Sequence, residues 1–256
     1  MRQDFLGLHV NTGPYRYFIE TINSLAAAQQ SSYVCVANVH MLVEAYMKRE
    51  FKQIINNADL VTPDGMPICI GLHQLYGLHQ DRVAGMNLLP DLLKNASDQK
   101  IPVFIYGGHP DLIPVLHEYV NKNLPDLDLR GVYSPPFRPL TKAEDEEVIE
   151  MINQSGARLV LVSLGCPKQE IWMAKMKGRI NGCMVGIGGA IPVMLGIQKR
   201  APLWMQRYSL EWLYRLLQEP RRLFKRYLVT NSIFLYLYVA ALIKHYLTER
   251  LGISTN

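Results

Sequence analysis

The chain has 256 residues, 49% of them hydrophobic, and a formal net charge of +5. This length and composition predict one large α/β domain or two small ones with a sizeable core, and they exclude general disorder. The N-terminal sequence MRQDFLGLHVNTGPY interrupts any apolar stretch with polar residues, so we expect no export signal and a cytoplasmic location. The four cysteines form no CxxC pair and indicate free thiols in a reducing compartment. They are Cys35, Cys69, Cys166 and Cys183.

In chain order, six apolar runs alternate with amphipathic stretches. The runs are SYVCVANV, ADLVTP, IPVFIYGG, LDLRGVYS, ARLVLVSLG and GCMVGIGGA. The stretches are VHMLVEAYMKREFKQII, DLIPVLHEYVNKNL, KAEDEEVIEMINQ and KQEIWMAKMKG. Continuous hydrophobic strands that alternate with helices are typical of a parallel sheet covered on both faces. The predicted fold class is therefore α/β, with a Rossmann-like, mostly parallel sheet and helices on both faces.

The residues that follow these runs are the first place to look for function. In such sheets, ligands bind beyond the carboxyl ends of the strands. Here those positions carry Asn38, Asp64-Gly65, Gly107-Gly108 and Gly188-Gly189. Asp-Gly is a strong turn signal, because glycine tolerates positive φ and the Asp side chain hydrogen-bonds the nearby backbone. Asp64 is therefore either a turn former or a carboxylate placed for chemistry.

Two strand-to-helix junctions have sequences that favour the binding of an anion. In FIYGGHPDLIP, the Gly107-Gly108 pair lets the backbone approach a ligand, and the next helix start offers N–H groups to a diphosphate. The alternative is that the tight strand-to-helix turn needs these glycines for structural reasons alone. In LVSLGCPKQEIW, Pro167 begins a helix and places Lys168 and Gln169 in its first turn, where a cation and the helix dipole favour a phosphate. Glu170 would repel that phosphate, so we expect a capping or structural role for it.

A D-x-D sequence, Asp126 and Asp128, precedes its strand and is therefore expected at the edge of the sheet opposite to the ligand crevice. These residues are better explained as solvated loop acids than as metal ligands. The histidines lack metal-ligand spacing, so no metal site is predicted. The same acids lie about 20 residues beyond Gly107-Gly108, which keeps a nicotinamide-dependent oxidoreductase as an alternative. The absence of GxGxxG spacing counts against that alternative.

The chain changes character after Lys199. Between Lys199 and Arg226, eight basic residues face two acidic ones, a net charge of +6. The apolar segment 227–243 is about 25 Å long as a helix, and Thr230, Asn231 and Ser232 interrupt it. That is short of the roughly 20 apolar residues that span a bilayer. We predict an element lying on an anionic membrane surface, the alternative being a core or dimer helix. No nucleic-acid reading motif accompanies the charge.

These patterns divide the chain into an α/β core, residues 1–198, and a helical appendage, residues 199–256. Pro220 is expected to separate two helices of the appendage, because proline ends or begins helices. A non-catalytic, membrane-tethered nucleotide-binding protein is a further reading of the same division.

Taken together, several motifs resemble the WecG/TagA/CpsF family of bacterial glycosyltransferases across nearly the whole chain. The motifs are VANVHMLVEA, ADLVTPDGMPI, RVAGMNLL, VFIYGGHPDL, LVSLGCPKQEIW, GIGGA and RAPLWMQRYSLEWLYRLLQEPRRLFKRYL. The resemblance implies inverting transfer from a UDP-sugar to a polyprenyl-diphosphate-linked sugar at the cytoplasmic membrane face. The sugar would be N-acetylmannosamine, its uronic acid or a related hexose. The product would be teichoic acid, enterobacterial common antigen, capsule or exopolysaccharide.

The resemblance also implies residue roles. It makes Asp64 the general base, and Asn38 a residue that orients the acceptor or the base. It places the acceptor and base in residues 1–98 and the nucleotide in residues 99–198. No metal or other cofactor is implied, and a homo-oligomer is left open. The remaining implied substrate-binding residues are Arg82, Gly107, Gly108, Pro167, Lys168, Gln169, Gly188, Gly189, Arg215, Arg221 and Arg222.

Overall fold

The structure, a computed structural model, describes the backbone of residues 1–251 and the side chains of residues 1–248. Its strands are β1 (Arg2–Phe5), β2 (Leu8–Asn11), β3 (Ser32–Ala37), β4 (Leu60–Pro63), β5 (Val103–Gly107), β6 (Leu129–Tyr133), β7 (Leu159–Ser163) and β8 (Cys183–Gly186). Strands β3 to β8 form one parallel sheet in the order β4-β3-β8-β7-β5-β6, and β1 pairs with β2 as a separate antiparallel hairpin. The predicted α/β class and parallel sheet are confirmed.

Helices connect the strands and continue beyond them. They are α1 (Tyr15–Ala27), α2 (Val39–Met47), α3 (Arg49–Asn56), α4 (Met66–Tyr76), α5 (Gly85–Asp98), α6 (Leu112–Asn123), α7 (Lys142–Gln154), α8 (Lys168–Met176), α9 (Ala190–Met194), α10 (Leu203–Arg207), α11 (Glu211–Gln218) and α12 (Pro220–Leu251).

Each of the six apolar runs contains one strand of the parallel sheet. Along β3, alternate residues enter different cores, because successive side chains of a strand point to opposite faces. Tyr33 and Cys35 pack into the cluster on one face, whereas Val34 and Val36 pack into the cluster on the other. All six residues of β3 are buried, which explains why this strand reads as a continuous apolar run.

Two local features differ from the sequence-based expectation. The amphipathic stretch after β3 forms two helices, because Lys48 adopts an extended conformation (φ −129°, ψ 104°) between α2 and α3. The N-terminal hairpin was not predicted. It is attached to the main sheet through Asn11, whose Oδ1 accepts a hydrogen bond of 2.9 Å from the backbone N–H of Val61.

The C-terminal helix is longer than the predicted 17-residue apolar segment. Helix α12 runs for 32 residues through Thr230, Asn231 and Ser232 without a break. The Thr230 hydroxyl donates to the backbone oxygen of Arg226 at 2.9 Å, so it is satisfied within the helix. As predicted, Pro220 separates α12 from α11. By length and composition alone, Pro220–Thr248 could cross a membrane.

One face of α12 packs on the core. Ile233, Phe234, Leu237 and Tyr238 pack against the core cluster that includes residues of α2 and α4. The Tyr238 hydroxyl also donates a short hydrogen bond to Gln74 of α4. The proposed boundaries at residues 98 and 198 remain predictions, and residues 252–256 of the appendage lie outside the described residues.

Candidate active site

Polar and glycine residues meet at the carboxyl edge of the parallel sheet. Asp64 follows β4, Asn38 follows β3, Gly188 lies just beyond β8, and Gly107 ends β5. Because these strands are parallel and lie in the order β4-β3-β8-β7-β5, their ends stand side by side along one edge. The structure thus brings together residues that are up to 150 positions apart in the sequence.

Asp64 is held at the junction between β4 and α4. Its backbone N–H donates to the oxygen of Ala37 at 2.8 Å, which fixes it beside the end of β3. Gly65 does not form the positive-φ turn that the Asp-Gly pair suggested. It has φ −86° and ψ 132° and immediately precedes α4, so the chain passes directly from strand to helix. The Asp64 side chain is 22% exposed, which leaves the carboxylate accessible from the crevice.

The environment of Asp64 makes it a stronger base than an ordinary aspartate. Burial raises its pKa to about 6, and the negative charge of Glu211 acts in the same direction. The positive charges of Arg82 and Arg215 and a hydrogen bond from Asn38 oppose that shift. A carboxylate with a pKa near 6 remains mostly ionised at pH 7 and accepts a proton more readily than one with a pKa near 4.

The Asn38 side chain makes two interactions, one with the start of α2 and one with Asp64. It caps the N-terminus of α2, and its Oδ1 accepts a hydrogen bond of 3.1 Å from the N–H of Met41. Because the amide oxygen is engaged by the helix, the amide nitrogen is the end that can donate to Asp64. The cap therefore orients the side chain that stabilises the ionised carboxylate.

Arg82 links Asp64 to the C-terminal helices. Its Nε donates to the backbone oxygen of Asp64 at 2.7 Å, and its Nη2 lies 3.9 Å from the Asp64 carboxylate. The same Nη2 pairs with the Glu211 carboxylate of α11 at 2.5 Å. Both partners of this pair are less than one-fifth exposed. The ion pair therefore places the start of α11 over the base.

Two more arginines from beyond the parallel sheet approach this edge. Arg215 of α11 lies beside the glycine loop, with its Nη2 3.8 Å from the position a Cβ would occupy on Gly189. Arg200 is half-buried, and burial lowers its pKa. Within the described part of the chain, its buried Nε makes no hydrogen bond. The sequence-based prediction did not include Arg200 or Glu211, because nothing in their local sequence separates them from other residues of a basic segment.

The Gly107-Gly108 pair has a clear packing role. Gly107 has φ +105°, and a Cβ there would lie 2.5 Å from the oxygen of Ser163 on β7. Only glycine fits such a close approach. The N–H of Gly108 donates to the same Ser163 oxygen at 2.9 Å, and its oxygen accepts from the Ser134 hydroxyl at 2.7 Å. That N–H group is therefore already engaged within the protein.

The start of α8 presents one cation and one buried amide. Pro167 precedes the helix and Lys168 is exposed at its first residue. Gln169 is only 3% exposed. Its Oε1 accepts from the N–H of Gly188 at 3.1 Å, and its Nε2 donates to Glu170 at 2.6 Å. Gln169 therefore holds the loop after β8 through this hydrogen bond, and little of its side chain is exposed for a direct contact with ligand.

The remaining predicted arginines lie at the start of α12. Arg221 and Arg222 are exposed, and Arg222 pairs with Glu219 at 2.7 Å. The acids of the D-x-D sequence precede β6, at the opposite edge of the sheet from Asp64. Asp128 pairs with Arg130 at 2.7 Å. Across the residues whose side chains are described, no group of three His, Cys, Asp or Glu residues gathers to hold a metal ion.

Comparison with known proteins identifies the family of this chain. Residues 3–248 match the model of the Glycosyl transferase WecG/TagA/CpsF family. The chain is also 31% identical over 217 residues to the N-acetylglucosaminyldiphosphoundecaprenol N-acetyl-beta-D-mannosaminyltransferase of Bacillus spizizenii. That alignment covers 84% of this chain and 80% of the relative. The chain, with its carboxylate at the strand exits and arginines above it, therefore belongs to the WecG/TagA/CpsF family of glycosyltransferases.

Proposed function

We propose that this glycosyltransferase inverts the anomeric centre of a UDP-sugar in a single displacement, with Asp64 as the general base. The observation that carries the proposal is the environment of Asp64. Its carboxylate is desolvated enough to have a pKa of about 6, yet it remains accessible at the crevice. General-base catalysis works best when the pKa of the base lies near the working pH.

In the proposed reaction, Asp64 takes the proton of an acceptor hydroxyl as its oxygen attacks the anomeric carbon. The bond from that carbon to the UDP oxygen breaks as the new bond forms, and the electron pair leaves with UDP. The leaving diphosphate develops negative charge, which nearby cations stabilise. Arg215 and Arg200 both lie close enough to Asp64 to interact with its charge. Lys168 is exposed at the start of α8.

We propose substrates of the same classes as those named for the Bacillus spizizenii relative. That protein is named as a mannosaminyltransferase that acts on N-acetylglucosaminyldiphosphoundecaprenol. For this chain, the donor is UDP-N-acetylmannosamine, its uronic acid or a related hexose, and the acceptor is a polyprenyl-diphosphate-linked sugar. Both substrates carry a diphosphate, which fits a crevice supplied with arginines. We further propose that transfer needs no metal, because these cations can supply the charge stabilisation themselves.

We also propose that the C-terminal helices hold the enzyme on the cytoplasmic face of an anionic membrane. Only 11% of the most apolar stretch of α12 is buried. Phe224, Leu228, Leu235, Tyr236 and Ile243 each expose more than half of their surface. Apolar side chains beside a basic stretch are typical of an element that lies in the headgroup region. Self-association through the same face is the competing outcome.

The decisive experiment compares wild type with Asp64→Asn. Purified protein is given UDP-N-acetylmannosamine and a lipid-diphosphate-linked N-acetylglucosamine, and UDP release is measured. We expect Asp64→Asn to lower kcat by about 10²- to 10⁴-fold, the usual contribution of general-base catalysis. Asp126→Asn, an exposed acid at the opposite edge of the sheet, serves as the matched control and should retain full activity. Equal rates for wild type and Asp64→Asn would remove Asp64 from the reaction.

A further inference from the structure

Glu170 is a buried acid that the proposed reaction does not use. It lies in the first turn of α8 with 0% exposure. Its Oε1 accepts a hydrogen bond of 2.6 Å from Gln169. Its buried Oε2 makes no hydrogen bond of standard length within the described part of the chain. The Cys166 thiol and the Glu170 backbone N–H lie close enough to act on the carboxylate as weaker donors. A buried carboxylate without a paired cation costs stability, so its retention beside the crevice calls for a physical reason.

The geometry around Gln169 supplies that reason. A glutamine amide has a donor end and an acceptor end of nearly the same shape, and only its partners decide which way it points. Gly188 presents an N–H group to Gln169, at 3.1 Å from Oε1. The opposite orientation would set two donors against each other. An acceptor on the other side of the amide, at the position of Glu170 Oε1, favours the productive orientation.

We propose that Glu170 is a positioning residue that fixes the loop of Gly188 and Gly189 by orienting the Gln169 amide. Glu170 does not touch substrate in this proposal. The inference rests on the proposed function only for its kinetic consequence, because the hydrogen-bond chain from Glu170 through Gln169 to Gly188 exists in the folded protein without substrate.

The chain of hydrogen bonds reaches the catalytic edge. The oxygen of Gly188 accepts from the Ser163 hydroxyl at 2.7 Å, so the peptide groups of this residue are fixed on both sides. The next residue, Gly189, lies beside Arg215, whose charge lowers the pKa of Asp64. A loop that shifts when the Gln169 amide turns would therefore disturb the guanidinium closest to it. The expected result is weaker donor binding with a smaller effect on the chemical step.

The proposal requires an acceptor at position 170 and does not require a charge. Glu170→Gln keeps the shape and a carbonyl oxygen that can accept from Gln169, so it should behave like wild type. Glu170→Met keeps a similar volume and removes the acceptor. Glu170→Asp keeps the charge and withdraws it by one methylene, so it should behave like Glu170→Met. This set of variants separates the acceptor from both charge and volume.

The test has two readouts on the full-length protein. Hydrogen exchange of the Gly188 amide, followed by NMR with ¹⁵N-glycine labelling, reports the hydrogen bond to Gln169 without any substrate. We expect exchange to be at least about tenfold faster in Glu170→Met and Glu170→Asp, and unchanged in Glu170→Gln, as one lost hydrogen bond predicts. The KM for the UDP-sugar should rise about tenfold in the first two variants, with kcat within about threefold of wild type.

Glu147→Met, an exposed acid on α7, is the matched control and should alter neither readout. Unchanged exchange at Gly188 in Glu170→Met overturns the proposal, as does a Glu170→Gln variant that behaves like Glu170→Met. If Glu170→Met does not fold, Glu170→Asp decides by the same criteria. If wild type transfers no sugar and binds no UDP, the proposed function fails. The exchange measurement still decides the role of Glu170.

Discussion

The carboxyl edge of the sheet and the C-terminal helices differ in which side chains they bury and which they expose. At the sheet edge, carboxylates and amides are largely withdrawn from water and have specific partners: Asp64 with Arg82, and Gln169 with Gly188. In α12, apolar side chains such as Leu235 and Tyr236 each expose more than half of their surface to solvent. The first region holds partnered polar groups at the crevice, and the second presents apolar side chains to solvent.

The two regions are joined by polar contacts and by apolar packing. Arg82 and Glu211 form an ion pair between the sheet edge and α11, and the inner face of α12 packs on α2 and α4. In the proposed membrane-bound enzyme, these contacts would couple the position of α12 to the geometry of the active site. The comparison makes four predictions, from the largest expected effect to the smallest.

The largest effect is expected from breaking the ion pair. Arg82→Met removes the donor to the Asp64 backbone and leaves Glu211 partly buried without its cation. Loss of one partner of a buried pair usually costs the fold several kcal/mol. Here it also removes the guanidinium that positions the proposed base, Asp64. We therefore expect kcat/KM to fall about 10²-fold in the UDP-release assay, with Glu211→Gln showing a smaller loss. Arg179→Met breaks an exposed pair with Glu146 and should leave activity unchanged. An active Arg82→Met enzyme would show that the two regions work independently.

A smaller effect concerns the membrane. The double variant Leu235→Glu/Ile243→Glu places two charges on the exposed face of α12. We expect binding to anionic lipid vesicles to fall at least tenfold in a sedimentation assay, because each buried leucine-sized side chain contributes about 1.5–3 kcal/mol. Activity on a short-chain, water-soluble acceptor should stay within about twofold. Met151→Glu, on α7, is the control for an added charge at an exposed apolar site. Unchanged vesicle binding would instead favour self-association through this face.

The pH dependence tests the chemistry of the sheet edge. With a pKa of about 6, Asp64 is ionised above pH 7, so kcat/KM should be constant there and about tenfold lower at pH 5. The folded-state pKa lies above the ordinary value of 3.8, so protonation of Asp64 favours the folded state. Its contribution to stability is present below pH 3.8 and is lost as the pH rises through 6. The acidic loss of activity is thus separable from unfolding, which circular dichroism would monitor. A profile flat down to pH 5 would contradict the assignment of the base.

The smallest effect is expected at Gly65. Its φ of −86° is accessible to any residue, and a Cβ there would meet only ordinary van der Waals neighbours at 3.6 Å and beyond. Gly65→Ala should therefore keep activity within about twofold and change the free energy of unfolding by less than about 1 kcal/mol. Gly107→Ala, which would meet the Ser163 oxygen at 2.5 Å, should destabilise the fold clearly. A severe defect in Gly65→Ala would show that the motif needs glycine for ligand approach.

Much of the sheet edge could be predicted because its signals are local. Strands covered on both faces must be apolar along their whole length, so β3, β5 and β7 stand out as uninterrupted runs. Their ends are marked by residues that differ from those runs, and the parallel arrangement places these ends together. Asp64 and Asn38 were found in this way. The turn assigned to Gly65 was wrong, because the helix that begins at Met66 overrides the local preference of Asp-Gly.

The partners of these residues could not be read in the same way. Arg82 and Glu211 are 129 positions apart, and neither belongs to a pattern that would pair them. The burial that raises the pKa of Asp64 also depends on which helices cover the crevice. Similarly, Thr230 to Ser232 interrupt the apolar segment in the sequence, whereas helix α12 continues through them and satisfies the Thr230 hydroxyl at the backbone oxygen of Arg226.

The sequence by itself determined the alternation of strands and helices, the carboxylate at the end of β4 and the change to a basic, apolar C-terminal segment. Each of these follows from the local residue pattern and from the spacing of apolar residues along the chain. Only the tertiary structure decided that Asn38 caps a helix while facing Asp64, that Glu211 holds Arg82, and that the buried Gln169 binds the loop of Gly188. These are contacts between distant segments, and their energies depend on desolvation, which the packing of the whole chain sets.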